Sequence, residues 1–163
     1  FRQPADPSFM GPLGGAPRRT TRGPLTFWDS SAVASLSIGD AHGAATREIY
    51  ARDRRTTHWW ATPVECASAI ERRRRETRDA VVAEECWNRL RSFFETSVEI
   101  QSDEEVAARA IRLLSRQRLR AADALQLAAA HAWSGGEPRG KTFVCLDKNL
   151  RESAISEGFN VAP

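Results

Sequence analysis

The chain has 163 residues, 41% of them hydrophobic and 28% charged, which suffices for one domain with a sizeable core. No run approaches the ~18 consecutive apolar residues of a membrane span, and no apolar block near the N-terminus is framed as a signal peptide, so a soluble, cytoplasmic protein without membrane contacts is expected. The net charge of +3 resides in residues 1–24, where Arg2, Arg18, Arg19 and Arg22 face only Asp6, and the rest of the chain is balanced; any footprint on nucleic-acid phosphates must therefore be local.

Residues 1–24 are rich in Pro, Gly and Arg and lack any helical or strand period, which predicts a disordered arm, or one of non-native origin, outside the folded unit. From Leu25 the pattern becomes regular. Leu25-Thr26-Phe27-Trp28 is a β-prone run that stops at Asp29, and Ser30 to Leu36 is compatible with a helix. His58-Trp59-Trp60-Ala61 is the next strand candidate. Thr62-Pro63-Val64-Glu65 has the form of a capping box with Pro at the first helical position, predicting a helix to about Arg78.

Cys86, Leu90 and Phe94 share a helical face within roughly 79–95, and Ser97 to Ile100 alternates like a strand. Ser102-Asp103-Glu104-Glu105 is a second capping box, opening a helix in which Val106, Ala110, Leu113 and Leu114 share a face. Leu119 to Trp133 predicts an Ala- and Leu-rich helix ended by Gly135-Gly136. Phe143-Val144-Cys145-Leu146 reads as a buried strand, Asp147 caps a helix to about Glu157, Gly158 suits its C-terminus and Val161 lies on an edge strand. Strands alternating with helices imply a mostly parallel central sheet covered on both faces, a three-layer α/β/α domain.

In such a sheet the C-terminal ends of the strands and the N-termini of the following helices share one edge, where ligands bind. Asp29 and Asp147 follow strands, Glu65 lies in the first turn of a helix, and Asp123 falls early in the 119–133 helix, so all four carboxylates can meet there. Hard divalent cations take oxygen ligands, and a cation on these acids suits phosphodiester hydrolysis by activated water. Each acid also has a structural explanation: Glu65 as the capping-box partner of Thr62, Asp29 and Asp147 as N-caps, and Asp123 beside a positive helix end.

Other features carry less. Cys66, Cys86 and Cys145 are odd in number and widely spaced, suggesting neither disulfides nor zinc. His42, His58 and His131 share no ligand spacing. Arg72 to Arg75 fit a solvated helix face, whereas Arg118 and Arg120, nearer to Asp123, are better placed to position phosphates. Trp59 and Trp60 could stack on bases, but consecutive aromatics in a covered strand fit core packing better.

The segments Phe27-Trp28-Asp29-Ser30-Ser31-Ala32, Thr62 to Ala69, Leu119 to Ala130 and Phe143 to Asp147 resemble, in order, the four motifs of PIN-domain proteins of the VapC toxin type, and the similarity runs through 25–163. The resemblance implies a PIN-like domain with metal-dependent endoribonuclease activity, the toxin of a type II toxin–antitoxin pair. It implies Mg²⁺ or Mn²⁺ as cofactor, RNA as substrate, a cognate VapB-like antitoxin as inhibitor and a homodimer as assembly. By motif match the resemblance implies Asp29, Asp123 and Asp147 as direct or water-mediated metal ligands, Glu65 as completing the acidic pocket or supporting a second ion, and Ser31 as an auxiliary polar residue near the metal. Cys145 stands where the family often has Thr or Ser, which removes one hydroxyl near the metal. A PIN-like binding or scaffold module without catalysis is the alternative. Other α/β phosphohydrolases fit poorly: Asp29 is followed by Ser30-Ser31 rather than the Asp-x-Asp of haloacid-dehalogenase-type enzymes.

Overall fold

The computed structural model describes residues 26–40 and 43–163; the arm at 1–24, Leu25 and His42 lie outside the described residues. In chain order the elements are β1 (Thr26–Trp28), α1 (Ser30–Ile38), α2 (Gly43–Arg52), β2 (Thr56–Trp59), α3 (Thr62–Thr77), α4 (Ala80–Phe94), β3 (Val98–Ile100), α5 (Glu104–Arg116), α6 (Ala121–Trp133), β4 (Thr142–Val144), α7 (Lys148–Ser156) and β5 (Asn160–Ala162). The strands form one sheet in the order β3-β2-β1-β4-β5, and every pairing is parallel. Among the described residues no helix is long and apolar enough to cross a membrane.

The pleat sends successive side chains of a strand to opposite faces, and the two halves of the core divide accordingly. Phe27 and Phe143 join Trp59, Val106, Leu113, Leu127, Leu150 and Phe159 in a cluster under α5, α6 and α7. Their neighbours Trp28 and Val144 join Val33, Cys66, Ile70, Cys86, Leu90 and Phe93 under α1, α3 and α4. The result is the expected three-layer α/β/α arrangement. Phe27, Trp28 and Phe143 are wholly buried, and each contributes on the order of 1.5–3 kcal/mol by leaving water. The rings of Phe27 and Phe143 stack at 5.5 Å across adjacent strands.

Several expectations need correction. The α2 helix has no counterpart in the sequence reading; only Gly43 and Thr46 of it are buried, so it leaves almost no amphipathic signature. The second strand lies two residues earlier than expected, at Thr56–Trp59, because Thr56 and Thr57 belong to the sheet and Trp60 has already left it. Trp59 is buried as expected, but Trp60 is 52% exposed and outside the core. Leu114 is likewise exposed rather than part of the α5 core face.

Neither proposed capping box forms. The cap of α5 is Asp103, whose side chain accepts from the Val106 N–H; a carboxylate one residue nearer the helix displaces Ser102 from the role. In α3 the cap is Ala61, without a side-chain bond, and Thr62 is already helical and buried. By contrast, Asp147 caps α7 as anticipated, and Gly158, with φ of 99°, takes the chain out of that helix in a conformation open to glycine.

Candidate active site

The strand order reverses between β1 and β4: the chain adds β2 and β3 on one side of β1, then returns to add β4 and β5 on the other. Ligands of open α/β sheets favour the crevice at such a reversal, beyond the C-terminal strand ends. Trp28 pairs with both His58 and Val144, so the next residues, Asp29, Trp59 and Cys145, stand level across the three central strands. The Asp29 N–H continues the ladder by donating to the Val144 carbonyl at 3.0 Å.

Asp29 is 2% exposed. Its Oδ1 accepts from the Ser31 hydroxyl at 2.7 Å and from the Ala32 N–H at 3.1 Å, the second bond capping α1. These bonds, with the Cys145 thiol, favour the ionised carboxyl, and Glu65 opposes it; burial outweighs them all and raises Asp29 from the ordinary 3.8 to about 7. Ser31 also accepts from the Leu146 N–H at 2.8 Å, and so ties the start of α1 to the loop that delivers Asp147. Replacing Ser31 with Ala leaves the Leu146 N–H without its partner, and we expect a loss of about 1–3 kcal/mol of stability. The check is the denaturation midpoint at unchanged slope; an unaltered midpoint contradicts the role.

The other carboxylates approach from helix starts. Asp123 is in the first turn of α6. Partial burial raises its carboxyl, a backbone bond with Arg120 lowers it, and Asp147 and then Glu65 act to raise it. The Asp147 Oδ1 accepts from the Leu150 N–H at 2.9 Å at the start of α7. Glu65 lies in the first turn of α3, where Gln126 Nε2 donates to its Oε2 at 3.1 Å and to the Thr62 hydroxyl at 3.3 Å. The four acids thus come to one edge, where Glu65 acts on Asp29, and Asp147 and Glu65 act on Asp123. Among the described residues no three His, Cys, Asp or Glu side chains gather closely enough to make a ready metal cluster; the arrangement is an open set of oxygen donors.

Two thiols flank the set. Burial raises the Cys66 thiol well above its ordinary value, with Asp29 and Glu65 adding to the effect. Burial likewise pushes Cys145 up, Asp29 contributing. Both stay protonated, and the Cys145 sulfur lies 3.9 Å from the Ser31 hydroxyl and 3.6 Å from the Asp147 carbonyl. Cys145 therefore occupies the hydroxyl position as a weak polar neighbour.

Arg120 is the cap residue of α6 and, like Arg118, is exposed. Arg118 lines a shallow cleft with Gln117, Asn149 and Glu152 on the α7 side. Arg72 to Arg75 are exposed on the later turns of α3, away from its N-terminal edge. His58 bonds Ser97 at 2.8 Å and His131 bonds Glu157 at 3.0 Å, so neither faces the acids. Sequence reasoning gave no role to Gln126. Its signal was a lone amide inside the Ala- and Leu-rich α6, three positions after Asp123 and hence on the same face.

No family model and no curated protein matches the sequence. Solved structures do match. PAE2754 from Pyrobaculum aerophilum shares 18% identity at a TM-score of 0.59, over 83% of this chain and 87% of that one. VapC20 of Mycobacterium tuberculosis, a sarcin-ricin loop cleaving toxin, shares 15% identity at a TM-score of 0.58, over 85% of this chain and 99% of that one. The chain has the fold of PIN-domain proteins.

Proposed function

We propose that this chain is a metal-dependent endoribonuclease, the toxin of a type II toxin–antitoxin pair, acting at the edge where Asp29, Glu65, Asp123 and Asp147 meet. The observation that carries the reading is that Asp29, 2% exposed at the C-terminal end of β1, is raised to about 7 chiefly by burial, with Glu65 adding the least, while burial first, then Asp147 and Glu65, raise Asp123 at the start of α6. Such a set holds unfavourable negative charge that a divalent cation would neutralise. Mg²⁺ or Mn²⁺ fits these donors: they are hard oxygens, and Mg²⁺ needs only one or two direct carboxylates because it keeps several waters. When bound, the ion supplies a polarised phosphoryl oxygen and a water acidic enough to attack in line.

Asp29, Asp123 and Asp147 would hold the ion, directly or through the waters it keeps, with Glu65 closing the pocket. Ser31 fixes the rotamer of Asp29 through its 2.7 Å bond, and Gln126 fixes that of Glu65 through its 3.1 Å bond; oriented ligands lose less entropy on binding. Arg118 and Arg120 would receive the RNA backbone as it crosses the site. The fold match to a toxin and the motif order support a VapB-like antitoxin as partner, a homodimer as assembly and the cytoplasm as site of action.

The open spacing of the acids is what a non-catalytic PIN-like module would also display, so the decisive experiment separates the two. With purified protein and single-stranded RNA, Asp123→Asn should lower Mg²⁺-dependent cleavage by about 10²-fold or more with an unchanged melting curve. Absence of cleavage by the wild-type chain, with no calorimetric signal for Mg²⁺ or Mn²⁺, would favour the binding module.

A further inference from the structure

Among the described residues, Trp60 is the one aromatic side chain in the set of large exposed hydrophobics. It lies one residue past the level of Asp29, on the adjacent strand, because Trp28 pairs with His58 and β2 ends at Trp59. At ordinary strand spacing its backbone is within about 5–7 Å of that of Asp29. The residue is held in place. Its N–H donates to the Ile100 carbonyl at 3.0 Å, and its ring meets the buried Trp59 ring edge-on, with centroids 6.4 Å apart and planes at 75°.

We propose that Trp60 is a stacking platform for an unpaired RNA base, positioning single-stranded substrate over the acidic edge; the inference rests on the ribonuclease reading and extends it to the kind of RNA taken. Although its ring meets Trp59 edge-on, the indole is 52% exposed. The only large exposed hydrophobic close to it in sequence is Val64, in the first turn of α3. Two such side chains fall far short of the roughly 800 Å² that each partner brings to a stable protein interface, but they match the face of one base.

Local charge points the same way. The start of α5, shortly beyond Ile100, carries the cap Asp103 and, in its first turn, Glu104 and Glu105, which repel phosphates. The uncharged face of a base is the part of RNA this end accepts, while the backbone runs toward Arg118 and Arg120. Duplex RNA keeps its bases stacked inside and has no face to offer.

The test is anisotropy of a labelled mixed-sequence RNA, titrated in Ca²⁺ over a time in which the strand stays intact on a gel, with wild type, Trp60→Ala, Trp60→Leu and Trp60→Phe. Stacking predicts single-strand binding weakened about 5- to 100-fold in the Ala variant, nearly as much in Leu, and largely retained in Phe, with a duplex of equal length unaffected. In Mg²⁺, KM should rise with kcat little changed. Equal affinity of the Ala variant overturns the inference, as does full retention by Leu. A change in self-association by light scattering that accompanies the loss would assign the indole to a protein contact instead, and also overturns it. Cleavage by wild type with an unchanged KM in Trp60→Ala sinks the stacking role alone; Trp60-dependent binding without any cleavage supports stacking and sinks the ribonuclease reading.

Discussion

Replacing Asp29 with Asn should reduce RNA cleavage by on the order of 10³-fold and, at the same time, make the protein more stable at neutral and alkaline pH. Both follow from one environment. The carboxyl is buried, and its value rises from 3.8 to about 7 on folding. Between those two values the folded state binds a proton that the unfolded chain does not, so stability falls as pH rises through this window. Below it the group makes no difference; above it the buried charge opposes folding by up to about 4 kcal/mol. The amide carries no charge, yet its oxygen can still accept from Ser31 and Ala32 in the way that Oδ1 does now. Thermal melting at about pH 4, near the bottom of the window, and about pH 8 measures the effect. The variant should gain little at the lower value and several degrees at the higher, and saturating Mg²⁺ should close the gap by stabilising wild type only. Equal melting of the two proteins at the higher pH, without metal, would contradict the assigned burial.

Removing the divalent ion should abolish cleavage, and the pH dependence of its restoration should report Asp29. A protonated carboxyl does not ligate, so at limiting Mg²⁺ the activity should fall toward tenfold for each pH unit below about 7. Proton and cation compete for the same oxygens. Raising the Mg²⁺ concentration should therefore shift the acid limb to lower pH without changing the plateau. Activity that persists in EDTA, or an acid limb that stays in place across a wide range of Mg²⁺, would show that the chemistry does not depend on a cation held by this group. Partial exposure of Asp123, which is raised for the same first reason, burial, makes it the weaker contributor to that limb.

The architecture was readable because the long alternation of strand and helix, with turn residues between them, admits few other solutions. Phe27 and Trp28, or Phe143 and Val144, are consecutive apolar residues, and only a strand covered on both faces can bury both members of each pair. The α2 helix was not readable, since a helix with two buried residues carries no period. Glu65, read as the capping-box partner of Thr62, takes no part in a capping box and is held by Gln126 instead. Asp29 and Asp147 do cap helices, each through Oδ1, so the structural explanation holds for them and not for Glu65. What a sequence could not disclose is the exposure of Trp60: Trp59 and Trp60 are the same residue type one position apart, and only the point at which β2 ends divides core from surface.

On the proposed toxin reading, the order of the strands also bears on when in its synthesis the chain acquires its site. Asp29 follows the first strand and Asp147 the fourth, and the hydrogen bonds that hold β1 beside β4 are made only by β4 itself. On the ribosome, β1, β2 and their helices emerge and can pack well before that partner exists. No nascent fragment that stops short of Asp147 can assemble the acidic edge. If translation of this chain is interrupted, what is released lacks the complete acidic edge, and under the proposed function any hazard would be confined to essentially finished molecules.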